Sequence, residues 1–347
     1  MKRIFITGAS GQDGSYLIKE LLRDTDNLLF ALGRQANSES MWRHQTLGLL
    51  GHERVKLIES DLLSKQAVSS LYDVRPNLIF NFAAVSSVSQ SFENPEYCLA
   101  VNTFVVRSFL ESIKKMELDC RFVQASSSEM YGLNGAIGRS EEDAFLLLSP
   151  YAHAKLLAHH CCEYERRYSG LNICSVILFS HESILRHRWA VTKEIATYVS
   201  VLPTGTGCDL SPLKLGNIDL GRDWGYAPEF VRAISEIGMS DTDADSYVLG
   251  SGTMLTIRDL LVTAFQFIDK ELVFKSDMER NIWLARDAVS GKILVNQDFT
   301  LTRDSDTVGC SADTNKFEGK FGWRPTLNCR HVISLMIEKL MLQPKFQ

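Results

Sequence analysis

A short β-prone run, Lys2–Thr7, leads into Gly8-Ala9-Ser10-Gly11-Gln12-Asp13-Gly14 and then into a helical pattern with Leu17, Leu21 and Leu22 on one face. The glycine spacing is G-x-x-G-x-x-G. Glycines at a strand-to-helix turn permit a tight bend and a close backbone approach. The free N–H groups of the helix N-terminus then form a seat for a pyrophosphate. Three spaced glycines are a weak signal alone. Between a strand and a helix they predict dinucleotide binding and a βαβ unit.

The N-terminal half continues that alternation. Strands are expected at Leu28–Leu32, Val55–Glu59, Asn77–Phe82, Arg121–Ala125 and Asn172–Leu178. Helices are expected at Ser64–Leu71, Val101–Met116 and Ala152–Tyr168. Leu78-Ile79-Phe80-Asn81-Phe82 is nearly all apolar, as a strand covered on both faces requires. After about residue 180 the rhythm breaks, with Pro203, Gly205, Gly207 and Pro212 clustered and helices expected at Ala227–Glu236, Thr256–Phe267 and Arg330–Leu342. The expected fold is α/β: a Rossmann-type doubly wound parallel sheet with a smaller mixed α/β C-terminal substrate domain. The expected division is 1–179 for the cofactor, with part of about 217–240 returning to it, and 180–347 mainly for the substrate.

Composition narrows the class. With 42 acidic and 37 basic side chains, the 347-residue chain has a formal charge of −5. It has no global field for nucleic acid or an anionic membrane, so an anionic ligand needs local positive charge. No apolar run approaches the ~18 residues of a membrane span. The N-terminus lacks the h-region of a signal peptide. The eight cysteines are scattered without a CxxC and read as reduced thiols in a cytoplasmic protein.

The end of the second strand separates NAD from NADP, because an acid there accepts bonds from the ribose 2′-hydroxyl whereas an arginine suits a 2′-phosphate. Here it reads Ala31-Leu32-Gly33-Arg34, with no acid before Glu39. Arg34 therefore favours NADP. Asp61-Leu62 after the third strand would border the adenine, and Ala83-Ala84 after the fourth are small enough for close approach.

Tyr151-Ala152-His153-Ala154-Lys155 is Y-x-x-x-K, which puts the phenol and ammonium on one helix face. The lysine charge is expected to lower a phenol pKa of about 10 toward a usable base. Following the glycine motif and a serine-rich turn, this pattern resembles the extended short-chain dehydrogenase/reductase family. Ser127, at the end of the fifth strand, is the expected hydroxyl partner. Glu129, two residues on, adds a carboxylate that plain hydride transfer does not need.

The resemblance becomes closer in ordered segments: Gly11–Leu17, Ser91-Phe92-Glu93, Pro95-Glu96-Tyr97, Gln124–Gly132, Ser149–Ala152, Ile177–Phe179 with His181-Glu182-Ser183, Leu215-Gly216-Asn217, Arg222–Gly225 and Phe321–Pro325. Over nearly its whole length the chain resembles the GDP-mannose 4,6-dehydratase family. That resemblance implies catalytic roles for Ser127, Glu129, Tyr151 and Lys155. It implies cofactor contacts at Gly8, Gly11, Gln12, Asp13, Gly14, Arg34, Asp61, Leu62, Ala83, Ser86, Tyr97, Lys155, His181 and Arg186. Ser86, Ser128, Ser180, Lys193, Arg222 and Arg303 stand at substrate-side positions, with the two arginines near the nucleotide diphosphate. The implied cofactor is NADP, the substrate a nucleotide-diphosphate sugar and the assembly a homodimer or homotetramer.

Departures fall on the sugar and nucleotide side. Ser180 replaces asparagine and Ile184 proline in the family's N-H-E-S-P run, Glu194 replaces lysine, Tyr226 replaces histidine, and Ser87 stands where histidine is usual. They bear on the identity of sugar and base more than on the reaction. The alternative within the superfamily is a nucleotide-sugar 4-ketoreductase or 4-epimerase. His159-His160-Cys161-Cys162 resembles a metal cluster, but adjacent helical residues point about 100° apart and cannot converge on one ion; no metal site is expected. Trp42-Arg43-His44 falls in an expected long loop, read either as solvated or as covering a neighbouring subunit's cofactor.

Overall fold

The computed structural model describes residues 1–23, 26–34, 41–132, 135, 137–204, 210–277, 282–301 and 309–342. Glu39, Gly205, Gly207 and Arg303 lie outside these. The N-terminal half runs β1 (Arg3–Thr7), α1 (Gln12–Leu21), β2 (Leu28–Gly33), α2 (Trp42–Leu47), β3 (Val55–Glu59), α3 (Lys65–Val74) and β4 (Leu78–Asn81). It continues with α4 (Val88–Glu93), α5 (Pro95–Leu99), α6 (Val105–Lys115), β5 (Arg121–Ser127), α7 (Pro150–Ser169) and β6 (Ile173–Leu178). Between α5 and α6 the expected long helix contains a π-helical segment, Ala100–Phe104.

The C-terminal half holds more structure than its irregular sequence predicts. It contains β7 (Ser180–Glu182), α8 (Val191–Val201), β8 (Leu213–Leu215), β9 (Gly221–Tyr226), α9 (Ala227–Met239), β10 (Ser246–Leu249) and β11 (Met254–Thr256). Then follow α10 (Ile257–Gln266), β12 (Leu272–Asp277), β13 (Ile282–Asp287), β14 (Ile293–Gln297), α11 (Asn315–Phe321) and α12 (Cys329–Leu342). Strand β10 joins the main sheet beside β6, so the order is β10-β6-β5-β4-β1-β2-β3. Every pairing in it is parallel. Two smaller sheets, β11-β9-β7 and β12-β13-β14-β8, make up the rest.

Alternate residues of the central strands feed two cores. Ile4, Ile6, Phe80 and Val123 pack with α1, α9 and Phe317 of α11. Phe5, Ile79 and Phe122 point the other way, into side chains of α3, α6 and α7. Burial on both faces is why these strands read as continuous apolar runs. A third core joins α8, α10 and α12 to the smaller sheets through Ile195, Phe265, Val295 and Val332.

The C-terminal end of α9 is anchored to the main sheet by one side chain. Arg121, buried at the start of β5, donates from Nη1 to the carbonyls of Ile237 (2.8 Å) and Ser240 (2.6 Å), and from Nη2 to that of Thr242. Its Nε reaches Asn172 Oδ1 at 3.0 Å. Replacing it strands several carbonyl groups at once. Arg121→Leu is expected to lower unfolding stability by about 3 kcal/mol, read from the shift in urea midpoint.

Candidate active site

The turn after β1 and the loop after β4 meet at the point where the sheet order reverses, the usual ligand crevice of an open α/β sheet. Gly8 has φ +66°, and a Cβ there would lie 2.8 Å from the Ala83 nitrogen; one on Gly14 would lie 2.4 Å from the Gly8 carbonyl oxygen. Both contacts exclude a side chain. Polar side chains tie the strand ends in a row. Thr7 Oγ1 donates to Asn81 Oδ1 (2.6 Å), Asn81 Nδ2 to Gln124 Oε1 (2.8 Å), and the Ala83 amide to Thr7 Oγ1 (3.1 Å). The sequence reading did not identify this row, whose members are polar residues at the ends of apolar strands.

A cleft of about 590 Å³ opens above the junction. Of the residues expected to hold a dinucleotide, Gly8, Gly11, Gln12, Asp13, Gly14, Arg34, Asp61, Leu62, Ala83, Ser86, Tyr97 and Arg186 line it. No side chain caps α1 at Gly11, leaving its first N–H groups for a ligand. These features suit a dinucleotide diphosphate.

Lys155 and His181 lie outside that lining. His181 is buried. Its Nδ1 donates to the Phe179 carbonyl (2.7 Å) and its Nε2 lies 3.0 Å from Asp13 Oδ1. Gln12 Nε2 donates to the His181 carbonyl at 3.1 Å, and Ser183 Oγ to Gln12 Oε1 at 2.7 Å. His181 therefore braces the turn. Burial opposes both charges of the His181–Asp13 pair, yet their mutual attraction leaves His181 raised and Asp13 lowered from their ordinary values.

The chemical groups converge where β5 meets α7. Ser127 ends β5, with its hydroxyl near enough to the Tyr151 phenol to favour the phenolate. Ser149 caps α7, accepting from the Ala152 amide at 3.1 Å, which puts Tyr151 in the first turn. The Tyr151 amide donates to Ser91 Oγ at 3.1 Å. One turn on, Lys155 Nζ donates to the Ala125 carbonyl at 2.8 Å and lies 5.9 Å from the Tyr151 ring centroid. Glu129 follows in a 3₁₀ turn, its amide donating to Ser127 Oγ at 3.3 Å. All four expected catalytic residues thus share one corner, and Ser128 lies in the same turn.

The expected lowering of the phenol pKa is not found in the protein alone. Burial pushes Tyr151 up to about 12; the Ser127 hydroxyl offsets it in part, and the Glu129 charge adds to it. Burial also brings Lys155 down to about 8. Desolvation outweighs the helical neighbour, because the ammonium is directed to a carbonyl rather than to the phenol oxygen. Cys98, buried against Tyr151 and Ala154, is a further neighbour that the spacing did not single out.

The substrate-side residues are distributed more widely. Ser180 is on β7 and Arg222 on β9, with Ser180 paired to Trp224. Lys193 Nζ donates to the Ile184 carbonyl at 2.7 Å, and burial first, then Arg43, brings its pKa down to about 8. Beside Arg222, the buried Asp223 accepts from the amides of Ser251 (2.8 Å), Gly252 (2.9 Å) and Ala312 (3.0 Å).

One side reading changes. Trp42-Arg43-His44 opens helix α2, with Arg43 4% and His44 1% exposed, so it is not a solvated loop. His44 Nε2 lies 2.8 Å from the Ala9 carbonyl oxygen of the same chain's glycine turn. In the His159–Cys162 run the side chains diverge. His159 is buried 2.8 Å from Ser126 Oγ, Cys162 enters the core, and His160 is exposed.

The family model described as GDP-mannose 4,6 dehydratase matches residues 5–336. The chain belongs to that family. A GDP-mannose 4,6-dehydratase of Sinorhizobium fredii (strain HH103) is 33% identical over 346 residues, covering 97% of this chain and 96% of the relative. Among solved structures, UDP-glucuronic acid 4-epimerase from Bacillus cereus, in complex with UDP-glucuronic acid and NAD, superposes with a TM-score of 0.78. It is 19% identical and the match covers 97% of this chain and 98% of that one. The dTDP-glucose 4,6-dehydratase from Streptomyces venezuelae, with NAD and TYD bound, gives 0.77 at 19% identity, over 97% and 96%. At such identities these likenesses show the fold. Among the described residues no helix is long and apolar enough to cross a membrane.

The His181–Asp13 pair sets a pH signature. A raised histidine stabilises fully below about pH 6.5 and loses that contribution as pH rises through its folded value; a lowered aspartate stabilises above about 3.8 and loses it as pH falls. The pair is most stabilising between those limits. His181→Gln should therefore lower Tm more at about pH 5.5 than at about pH 9, as thermal unfolding at both values will show.

Proposed function

We propose that this chain is an NADP-dependent nucleotide-sugar 4,6-dehydratase of the cytoplasm, with GDP-mannose the first substrate to test. Residues 1–179, with part of about 217–240, hold the cofactor, and 180–347 mainly hold the nucleotide sugar. The observation carrying the reading is a carboxylate, Glu129, in the turn that also brings Ser127 to the Tyr151 phenol. Oxidation at C4 needs a base and a hydroxyl; elimination across C5 and C6 needs another base. Family membership favours this reading over a 4-ketoreductase or 4-epimerase. A reductase would consume added NADPH stoichiometrically, whereas a dehydratase recycles its cofactor.

Tyr151, as phenolate, takes the proton of the C4 hydroxyl, with Ser127 bonded to the same oxygen. When bound, the nicotinamide supplies the hydride acceptor for C4 and later the donor to C6, and its oxidised ring brings a positive charge that favours the phenolate. The C4 ketone acidifies C5–H. Glu129 removes that proton and assists the C6 hydroxyl to leave as water. The proton that Tyr151 took from the C4 hydroxyl is balanced by one returned to C5, which completes a 4-keto-6-deoxy sugar, so the net change is loss of one water. Lys155 holds the Tyr151 end of α7 on β5 and would bond the nicotinamide ribose. Arg222 and Arg303 supply local positive charge for the sugar nucleotide's diphosphate in a net-negative chain.

Two variants separate the halves of this chemistry. Glu129→Gln keeps size and polarity without a proton acceptor, so C5–H abstraction should slow by at least ~10²-fold. Mixed with GDP-mannose, it should accumulate bound reduced nicotinamide, visible by fluorescence, with little 4-keto-6-deoxy product. Tyr151→Phe should show neither signal. Wild-type turnover by Glu129→Gln would exclude the dehydratase reading.

Arg34 tests the choice of NADP. A charge-assisted bond to phosphate contributes about 10- to 100-fold in affinity. Arg34→Ala should lose that factor for NADP while NAD binding changes little, as measured by titration calorimetry. Equal losses would remove the assignment.

A further inference from the structure

A carboxylate lies buried at the end of β7. Glu182 is 2% exposed, and taking a charge out of water is costly unless partners are fixed around it. Its two partners meet on one oxygen. Thr192 Oγ1 donates to Oε2 at 2.7 Å, and Arg186 Nε lies 3.2 Å from the same atom. Thr192 belongs to the first turn of α8 and is itself buried. Arg186 differs: 34% of its side chain is exposed, and it lines the cofactor cleft together with Gly11 and Asp13.

These contacts close a loop. Residues 183–190 leave β7 and return to α8, and the neck is fastened twice: by Thr192 to Glu182, and by Lys193 Nζ to the Ile184 carbonyl at 2.7 Å. Arg186, His187 and Trp189, all from this loop, line the cleft. Burial raises the Tyr151 phenol and the Arg186 charge opposes it; at Asp13 burial raises and the same charge lowers. The guanidinium therefore stands within electrostatic reach of both the glycine turn and the proposed catalytic corner. An arginine fixed before a phosphate arrives does not lose its rotamer freedom on binding.

We propose that Glu182 is a positioning residue for cofactor binding: it acts through Arg186, holding the guanidinium at the cleft so that the dinucleotide meets it already oriented. The inference rests on the dinucleotide reading above. The sign of the effect sets positioning apart from charge alone. A carboxylate beside an anion site repels the anion through space, so on charge alone its removal would tighten binding. Positioning predicts the reverse, because Arg186 without its partner must be ordered by the ligand.

A double-mutant cycle, read by titration calorimetry of the full chain with NADP, tests this. Glu182→Gln keeps the size and an acceptor for Thr192 but removes the charge, and should weaken NADP by about 10-fold, within the usual range for coupled groups in contact. Arg186→Ala should weaken it by at least as much. Adding Glu182→Gln to Arg186→Ala should then change affinity by less than about 2-fold, because the residue through which Glu182 acts is gone. Tighter binding by Glu182→Gln, no change in either single variant, or the same loss repeated in the Arg186→Ala background would each overturn the assignment; the last is the result of a purely structural role. If Glu182→Gln does not fold by circular dichroism, Thr192→Val, which frees the carboxylate from α8, takes its place in the cycle. A loss that vanishes in the Arg186→Ala background supports the proposal, and a persisting loss or none overturns it. Failure of the wild-type chain to bind NADP would instead defeat the cofactor reading, and this proposal with it.

Discussion

The site depends on backbone meeting backbone where a side chain cannot fit. Gly8 and Gly14 let the first turn fold onto itself and onto the loop after β4. The Thr7–Asn81–Gln124 row then fixes the ends of β1, β4 and β5 relative to one another. Everything above the sheet inherits that registry. The start of α1, the cleft floor and the segment carrying Ser127 are all continuations of these strands. A Cβ at Gly8 would push the β4 loop away and displace the residues beyond it.

The proposed catalytic corner uses a second registry, between β5 and α7. One element carries Ser127 and leads into Glu129; the other carries Tyr151 and Lys155. Lys155 to Ala125 and His159 beside Ser126 hold them together at two successive turns of the helix. Ser91 and Thr103 fasten the opposite side of α7, through the Tyr151 amide and the Ala154 carbonyl. The price of that rigidity is desolvation, which raises the phenol and lowers the ammonium. The protein therefore presents a fixed pair that needs incoming charge to become reactive.

What could be read from the sequence followed from periodicity and local spacing. The inner strands of the main sheet declared themselves because burial on both faces makes them largely apolar, as in Leu78-Ile79-Phe80. The glycine turn and the Y-x-x-x-K pair are local patterns whose geometry follows from one strand end or one helix. The three-residue strands β7, β8 and β11 carry too little pattern to show a period, and β10 joins the first sheet only through tertiary pairing. The π-helical turn before α6 leaves no mark in composition. It aims Asn102 at Val85, whose amide and carbonyl it bonds at 2.8 and 3.1 Å. Likeness assigns His181 to the cofactor site, but the motif does not say that its ring will engage Asp13 of the glycine turn. Arg43 reads as part of a loop, either solvated or covering a neighbouring subunit's cofactor, since nothing in its neighbours announces that it will bond Leu185, far along the chain.

Asp223 shows how late the molecule becomes complete. Its single carboxylate gathers the amides of Ser251, Gly252 and Ala312. These groups come from segments separated by much of the C-terminal half. Until the chain has been made through Ala312, this buried carboxylate lacks one of its donors. Strand β9 is thus finished by a residue 89 positions further along the chain. A nascent chain stopped before residue 312 would lack both that donor and Phe317, whose ring packs against the central strands, so the first core and the buried carboxylate wait on the same late segment.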